Sequence, residues 1–513
     1  LWSVPATADA TDASTQSIDI PADDLAASLE LLAKQSGMEF IYDADQLKGI
    51  KSHGVSGDLT PKAAVIKLLE GTNLTLTEHD GAMLIARKSS VLDEIVVTGT
   101  HIRGEEPVGS ALLVYTRADM EQSGSATLDQ FARNMAANSS SVDTIANSSS
   151  NIRFSPTSRS NGINAFQGAS FNLRGLGPTA TLTLLNGQRL APGGLDGSFT
   201  DISQIPLSVV DHIEVLPDGA SAIYGADAVA GVVNIITRRD FTGAETWVRY
   251  GGSTEGGADE VTTSQLLGTF WSTGNALFNY EFDDQNGLNA SQRAYIPDLG
   301  GPYSLIPKNR RNSIFISGSQ EWGATTTLSG DVLYSDRKFF DASTFDSPPS
   351  LSSRSTFAAG SAKQLSATAG LDHALAGDWH AQLTGNYSRN EQVSNATSII
   401  GDGSDHLREA FIQGTTPSII DANAMTQGSL ASIPGGPVKA AFGASFRTER
   451  YDSTDVEIAS GRTTSSGEPT SRREVLSLYG EIVAPLIGDA NPAPGYRRVD
   501  LSIAGRFDHY SDF

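Results

Sequence analysis

From about residue 240 to residue 513 the sequence alternates with a period of two. In "NALFNYEF", Phe278, Tyr280 and Phe282 fall on one face, and Leu277, Asn279 and Glu281 fall on the other. In "TLSGDVLYSD", Leu328, Val332 and Tyr334 oppose Ser329, Asp331 and Leu333. The pattern recurs at Leu365, Ala367, Ala369 and Leu371, at Ala440, Phe442, Ala444 and Phe446, and at Val499, Leu501, Ile503 and Phe507. Successive side chains of a strand point to opposite faces, so this periodicity predicts strands with one apolar and one polar face.

The connections are unequal. "STGN" (272–275), "GATT" (323–326) and "AGDW" (376–379) read as short turns, whereas 284–311, 336–360 and 389–426 read as long loops. Short turns at one end and long loops at the other fit an outer-membrane β-barrel with its apolar face against lipid. A soluble β-sandwich with one solvated face shares the alternation but does not require the asymmetry. Trp247, Trp271, Trp322 and Trp379 are expected near strand ends, where aromatic girdles meet the lipid–water boundary. About eleven strands are legible. An odd set leaves open edges, which lipid does not tolerate. The segment is therefore expected to be the N-terminal half of an antiparallel barrel of about 22 strands, continuing past Phe513.

Composition narrows the partners. No apolar run reaches the roughly 18 residues of a membrane-spanning helix. A net charge of −23 argues against nucleic acid. Cysteine is absent, which removes disulfides, thiolate metal sites and thiol nucleophiles. The eight histidines show no ligand spacing, and no metal site or cofactor is expected. Residues 1–16, with Ala8-Asp9-Ala10, read as a signal remnant or a flexible N-terminus.

Residues 17–88 read as a small α/β domain of two related halves. In the first, Pro21 opens a helix, Leu25, Leu29 and Leu32 share a face, Gly37 caps it, and Phe40–Tyr42 form a strand. In the second, Thr60 caps, Pro61 takes the first helical position, Val65, Leu68 and Leu69 face inward, and Leu74 and Leu76 alternate along a strand. Both helices are expected to cover one sheet.

Residues 109–239 read as a mixed α+β domain. "TLTLLNGQRLAP" carries the Asn186-Gly187 hairpin turn. "IPLSVVDHIEVLPDG" predicts a helical turn and a strand at Ile213–Leu216, and "AVAGVVNIITRR" predicts a buried strand. The Ser/Asn-rich stretch 138–162 predicts a polar loop.

Between these two domains lies the linker 89–108, with "DEIVVTGT" inside it. Val96, Val97 and Thr98 are β-branched, and Ile95–Gly99 reads as a strand without a sheet. Such a strand pairs with a partner's sheet edge or tucks into the following domain.

Taken in this order, the segments resemble a TonB-dependent outer-membrane receptor of the transducer type. Residues 17–88 resemble the short N-terminal domain shared by secretins and such receptors. "DEIVVTGT" resembles the TonB box. "FNLRGLG", "TLTLLNGQRL" and "IPLSVVDHIEVLPDGASAIYGADAVAGVVNIIT" resemble plug-domain motifs, and "GRFDHYSDF" a mid-barrel strand. The resemblance implies a mainly β protein with a signalling domain, the plug at 109–239 and a partial barrel at 240–513. It implies import of a scarce nutrient, foremost a ferric siderophore, driven by TonB, with an inner-membrane anti-sigma regulator as a second partner. Glycans, peptides and cobalamin remain alternative ligands.

The resemblance also assigns residues. Asp93, Glu94, Ile95, Val96, Val97, Thr98 and Gly99 would bind TonB. A pull there would pass directly into the plug. Arg174, Arg189 and Glu214 would lock plug to barrel, the arginines through barrel carboxylates. Arg153 and Arg159 would sit in ligand-facing plug loops. No catalytic residue is expected, because no G-x-S-x-G, H-E-x-x-H or Walker loop occurs. "FDDQNG" departs from a calcium loop at Phe282 and Arg293. A secretin-like export channel explains the N-terminal domain alone, and a passive porin or an adhesin explains neither box nor plug.

Overall fold

The computed structural model describes residues 16–38, 40–42, 47, 50–69, 72, 74–79, 82–87, 98–105, 107–139, 164–296, 301–346, 353–401, 406–459, 462–467, 470–488, 491–492, 494–496 and 498–512. The chain divides into two compact units, Leu1–Asp93 and Glu94–Phe513.

The first unit holds β1 (Gln16–Ile20), α1 (Leu25–Ser36), β2 (Phe40–Tyr42), β3 (Val55–Leu59), α2 (Pro61–Leu69), β4 (Leu74–His79) and β5 (Ala82–Arg87). Leu25, Leu29 and Leu32 of α1 and Val65 and Leu68 of α2 are buried together with Ile18, Ile20 and Ile85. Gly37 ends α1 in the left-handed region at φ 72°, and the Ala63 amide donates to Thr60 Oγ1 at the start of α2. Two expectations are corrected. The helix begins at Leu25 rather than at Pro21, because Asp24 is still extended and bridges Lys51. The strands form two sheets rather than one: β1 pairs β3, and β5 lies between β2 and β4.

The second unit opens with an α+β domain: β6 (Leu113–Thr116), α3 (Arg117–Gln122), α4 (Leu128–Asn134), β7 (Thr181–Leu185), β8 (Gln188–Arg189), β9 (Val210–Leu216), α5 (Ser221–Tyr224) and β10 (Gly231–Thr237). The sheet order is β6-β9-β10-β7-β8, with β10 and β7 parallel. Asn186 and Gly187 both take positive φ, 50° and 77°, as the tight β7–β8 hairpin requires. A 3-10 turn at Leu207–Val209 leads into β9, which starts at Val210, earlier than the expected Ile213.

A 14-stranded antiparallel sheet surrounds this domain. Its strands are β11 (Gly243–Gly251), β12 (Glu260–Trp271), β13 (Gly274–Gln285), β16 (Lys308–Trp322), β17 (Thr326–Asp346), β18 (Ser353–Ala374), β19 (His380–Gly401), β20 (His406–Thr415), β21 (Ser418–Ile433), β22 (Gly436–Tyr451), β23 (Ser453–Ala459), β24 (Arg462–Ser466), β25 (Ser471–Ile487) and β26 (Val499–Tyr510). Eleven run as one continuous path, as the alternation predicts, while β20, β23 and β24 branch off it. A separate hairpin, β14 (Leu288–Asn289) with β15 (Ser304–Ile306), folds within the 286–307 connection.

Two of the expected long loops are mostly strand. Pairing of β17 with β18 continues to Asp346 and Ser353, and β19–β20 pairing fills much of 389–426. Ladder hydrogen bonds persist beyond the regular apolar alternation, and one face of these extensions stays buried, at Asp341, Ser343, Thr356, Ala358 and Ser398. Trp271 and Trp322 end their strands as expected, but Trp247 lies inside β11.

Along β13, Phe278 and Tyr280 are exposed, while Leu277, Asn279, Glu281 and Asp283 are buried toward the α+β domain. The inward face is mostly polar. Among its apolar residues, Leu266, Leu277, Phe315 and Leu333 belong to the same core cluster as Leu128, Phe131, Ile213, Val233 and Ile235. Domain and wall thus share one apolar core, on the inward face expected to be polar.

Candidate functional site

The linker enters the second unit at Thr98. Asp93, Glu94, Ile95, Val96 and Val97 lie outside the described residues. Thr98 and Gly99 form a turn rather than the expected strand end, because Gly99 takes φ 106°. A Cβ there would come within 2.9 Å of Leu216 Cδ2 and 3.0 Å of Pro107 Cβ.

Glu214 of β9 holds this turn. Its Oε2 accepts from the Thr98 amide at 3.0 Å and from Thr98 Oγ1 at 2.6 Å, and the carboxylate is buried. The Gly99 amide donates to Tyr224 Oη at 3.2 Å. His212, two residues earlier on the same face of β9, places Nε2 3.6 Å from Glu214 Oε1 and Nδ1 2.8 Å from Asp211 Oδ2. Hydrogen bonds to Asp211 and then to Glu214 raise the His212 pKa to about 9, so the imidazolium is held beside two carboxylates. Burial pushes the Tyr224 phenol up to about 12.

The next residues cross to the wall. Thr100 Oγ1 donates to Glu481 Oε1 at 2.9 Å, and the His101 amide donates to Glu481 Oε2 at 2.6 Å. The His101 ring stacks on Tyr479 with centroids 4.3 Å apart. Burial, then the nearby Arg506 guanidinium, lowers its pKa to about 4, so it is a neutral wedge. The Arg103 amide donates to Gln427 Oε1 at 2.7 Å, and its guanidinium pairs with Asp372. Glu105 sits between Lys439 and Arg498, 3.0 Å from each. All these wall residues lie toward the short-turn end of β18, β21, β22, β25 and β26.

Three residues expected to lock plug to barrel are placed differently. Arg174 pairs with Asp218, and Arg189 pairs with Asp227 at 2.6 Å and donates to Tyr224 O. Both partners belong to the α+β domain. Glu214 anchors the linker instead of the wall. Plug and wall are joined with both polarities: Arg238 and Arg117 of the inner domain pair with Glu245 of β11 at 3.0 and 3.6 Å, and wall arginines reach inward. Arg337 of β17 donates to Phe166 O at 2.8 Å and pairs with Asp201 at 3.2 Å. Arg311 of β16 donates to Ser203 O and pairs with Glu281, which itself accepts from the Ser208 amide at 2.9 Å. Arg239 adds a pair with Asp331 at 3.1 Å. Inward parity on the strands was a usable signal for Arg311 and Arg337; nothing in the sequence named Asp201.

Farther from the short turns, a cavity of about 440 Å³ lies between the inner domain and the wall. Arg189, Asp196 and Phe199 line one side, and Glu449, Tyr451 and Arg473 line the other. Tyr451 Oη donates to Leu195 O, and Arg473 and Arg447 both hold Glu449. The mixed charge suits a polar ligand with several hydrogen-bonding groups. Arg153 and Arg159 fall in 140–163, outside the described residues. Among the described residues no group of three or more potential metal ligands occurs.

Residues 106–232 match the family model described as the TonB-dependent Receptor Plug Domain. The whole fold is similar to solved structures. One is the ferripyoverdine receptor of the outer membrane of Pseudomonas aeruginosa bound to ferripyoverdine, at 14% identity and TM-score 0.56 over 97% of this chain and 65% of that chain. A second is the FpvAI–pyocin S2 complex, at 13% identity and TM-score 0.57 over 96% and 66%. A third is the ferric citrate transporter FecA in its unliganded form, at 13% identity and TM-score 0.51 over 78% and 60%. At these identities the likeness is one of fold. The chain spans less than two thirds of the length of each of these structures.

Proposed function

From a chain that carries the plug domain of TonB-dependent receptors within the fold of outer-membrane receptors, we propose a TonB-driven importer of a scarce nutrient in the bacterial outer membrane. One observation carries the reading. A plug held by inward-reaching arginines fills a sheet with an apolar outer face, and its linker is bound at the short-turn end. Short turns mark the periplasmic side of such barrels. The linker with its TonB box then faces the periplasm, and the cavity beside Arg189 and Tyr451 faces the outside. β-Augmentation by the box, at ~1 kcal/mol net per hydrogen bond, gives a reversible grip for TonB.

The ligand we infer is a ferric siderophore, supported by neighbours solved as ferripyoverdine and ferric citrate proteins. Residues 17–88 would signal occupancy to an inner-membrane anti-sigma regulator. A competition-uptake panel of ferric chelates, glycans and cobalamin tests the ligand. Val97→Pro removes a donor from the box. It is expected to abolish uptake and spare ligand binding, and normal uptake by that variant sinks the TonB-driven reading. Deleting residues 18–87 should abolish ligand-induced transcription while transport persists.

A further inference from the structure

The wall meets the plug in two different ways. On β13 and β16 every inward residue from Leu277 to Asp283 and from Asn309 to Ser317 is buried. On β21 and β22 the inward residues Asp421, Asn423, Met425, Gly443, Ser445 and Glu449 are only half-buried. Among the described residues, no hydrogen bond or ion pair joins the plug to β21 between Ile419 and Gln427, or to β22 between Lys439 and Tyr451. The two surfaces face each other there across a polar seam.

The seam is open at one end and covered at the other. The cavity beside Arg189 and Tyr451 lies at its outer end. At its inner end the linker fills a groove floored by Ala441 and Gly443 of β22. Ile102 is buried there against Ala441 and Val483. Gly443 lets the Tyr479 ring lie flat on the wall, because a Cβ at that position would come within 2.3 Å of Tyr479 Cζ. The ring reaches across β22 and donates from Oη to Asn423 Oδ1 at 2.6 Å, while His101 stacks on it from the linker. The linker is held there mainly by Glu481 and Gln427, polar groups that water satisfies once the segment leaves.

We propose that the imported solute passes between plug and wall along β21, β22 and β25, and that Thr100–Ile102 form a strap that closes the inner end of this route. The proposal rests on the importer reading above. The strap lies on the line of any pull from the TonB box toward the plug beyond Pro107. Its withdrawal joins the cavity to the periplasmic side while the apolar core shared by plug and wall on β12–β17 stays covered.

The test needs neither the ligand nor TonB. The full receptor, purified from outer membranes, is compared in planar lipid bilayers in potassium chloride with two strap variants. One carries Glu481→Ala and Gln427→Ala on the wall, and the other carries Thr100→Ala and Ile102→Gly on the linker. The unmodified receptor is expected to be silent and both variants to conduct. Ser445→Cys, added to a strap variant, should let a charged methanethiosulfonate reagent abolish that conductance. Ser317→Cys on β16, or no added cysteine, should leave it unchanged under the same reagent. Silence of the strap variants, or equal conductance in the unmodified receptor, overturns the strap. Conductance that survives the reagent at residue 445, or is blocked at residue 317, overturns the route. Recovery of every variant from the outer-membrane fraction keeps these outcomes separate from a failure of the membrane reading, and Val97→Pro tests the TonB-driven reading independently.

Discussion

Glu214 shows how one carboxylate can be assigned to the wrong task from sequence. Its strand is legible in "DHIEV", and its proximity to plug motifs suggested a contact with the wall. The structure instead turns it toward Thr98, with His212 beside it. Period-two alternation puts His212 and Glu214 on one face but does not say what covers that face. The pair has a pH consequence. The folded His212 pKa of about 9 lies above the ordinary 6.5, so its stabilisation is complete below pH 6.5 and is lost as pH rises through 9. His101 acts in the other direction. Its folded pKa of about 4 lies below 6.5, so stability falls as pH drops from 6.5 through 4. Thermal melts of the receptor should peak near pH 6.5. His212→Gln should flatten the alkaline limb, with a loss on the order of 1–2 kcal/mol after solvent screening. An unchanged alkaline limb would remove His212 from the anchor.

At the scale of the element, the linker is the segment that sequence described least well. Its composition suggested a free strand pulling directly on the plug. Residues 98–105 are instead fixed in two stages, Thr98 and Gly99 to the plug and Thr100 to Glu105 to the wall. The side chains that fix it lie more than a hundred residues away, and no local pattern announces Glu481, Gln427 or Lys439. A pull from the N-terminal side therefore meets the grip of Glu214 and Tyr224 on the plug first, and must then break the wall contacts before it travels on past Pro107. Arg103→Cys with Gln427→Cys, bridged by a short reducible cross-linker, tests this in a chain without native cysteine. Uptake should stop, ligand binding should persist, and reductant should restore transport. Undiminished uptake in the bridged protein would show that the wall contacts stay closed during transport.

For the whole molecule, the outward face was readable and the inward face was not. Eleven strands, their lipid-side residues and the short turns follow from alternation alone. The stretch of strand beyond Asn390 was hidden, because polar side chains on both faces erase the period. Leu277 and Leu333 fell on otherwise polar faces, and their meaning, with that of Leu266 and Phe315, lies in the plug that covers them. Phe315→Ala should cost about 3–5 kcal/mol as a buried aromatic truncation. Growth in the presence of bulky antibiotics would report the loosened seal, and unchanged resistance with unchanged melting would deny Phe315 that role. The shared core also bears on how passage opens. Drawing the plug out whole would bare those four side chains and their partners to water, at roughly 1.5–3 kcal/mol each. Opening elsewhere avoids that cost, so the plug is expected to stay seated on the β12–β17 side while passage opens away from it.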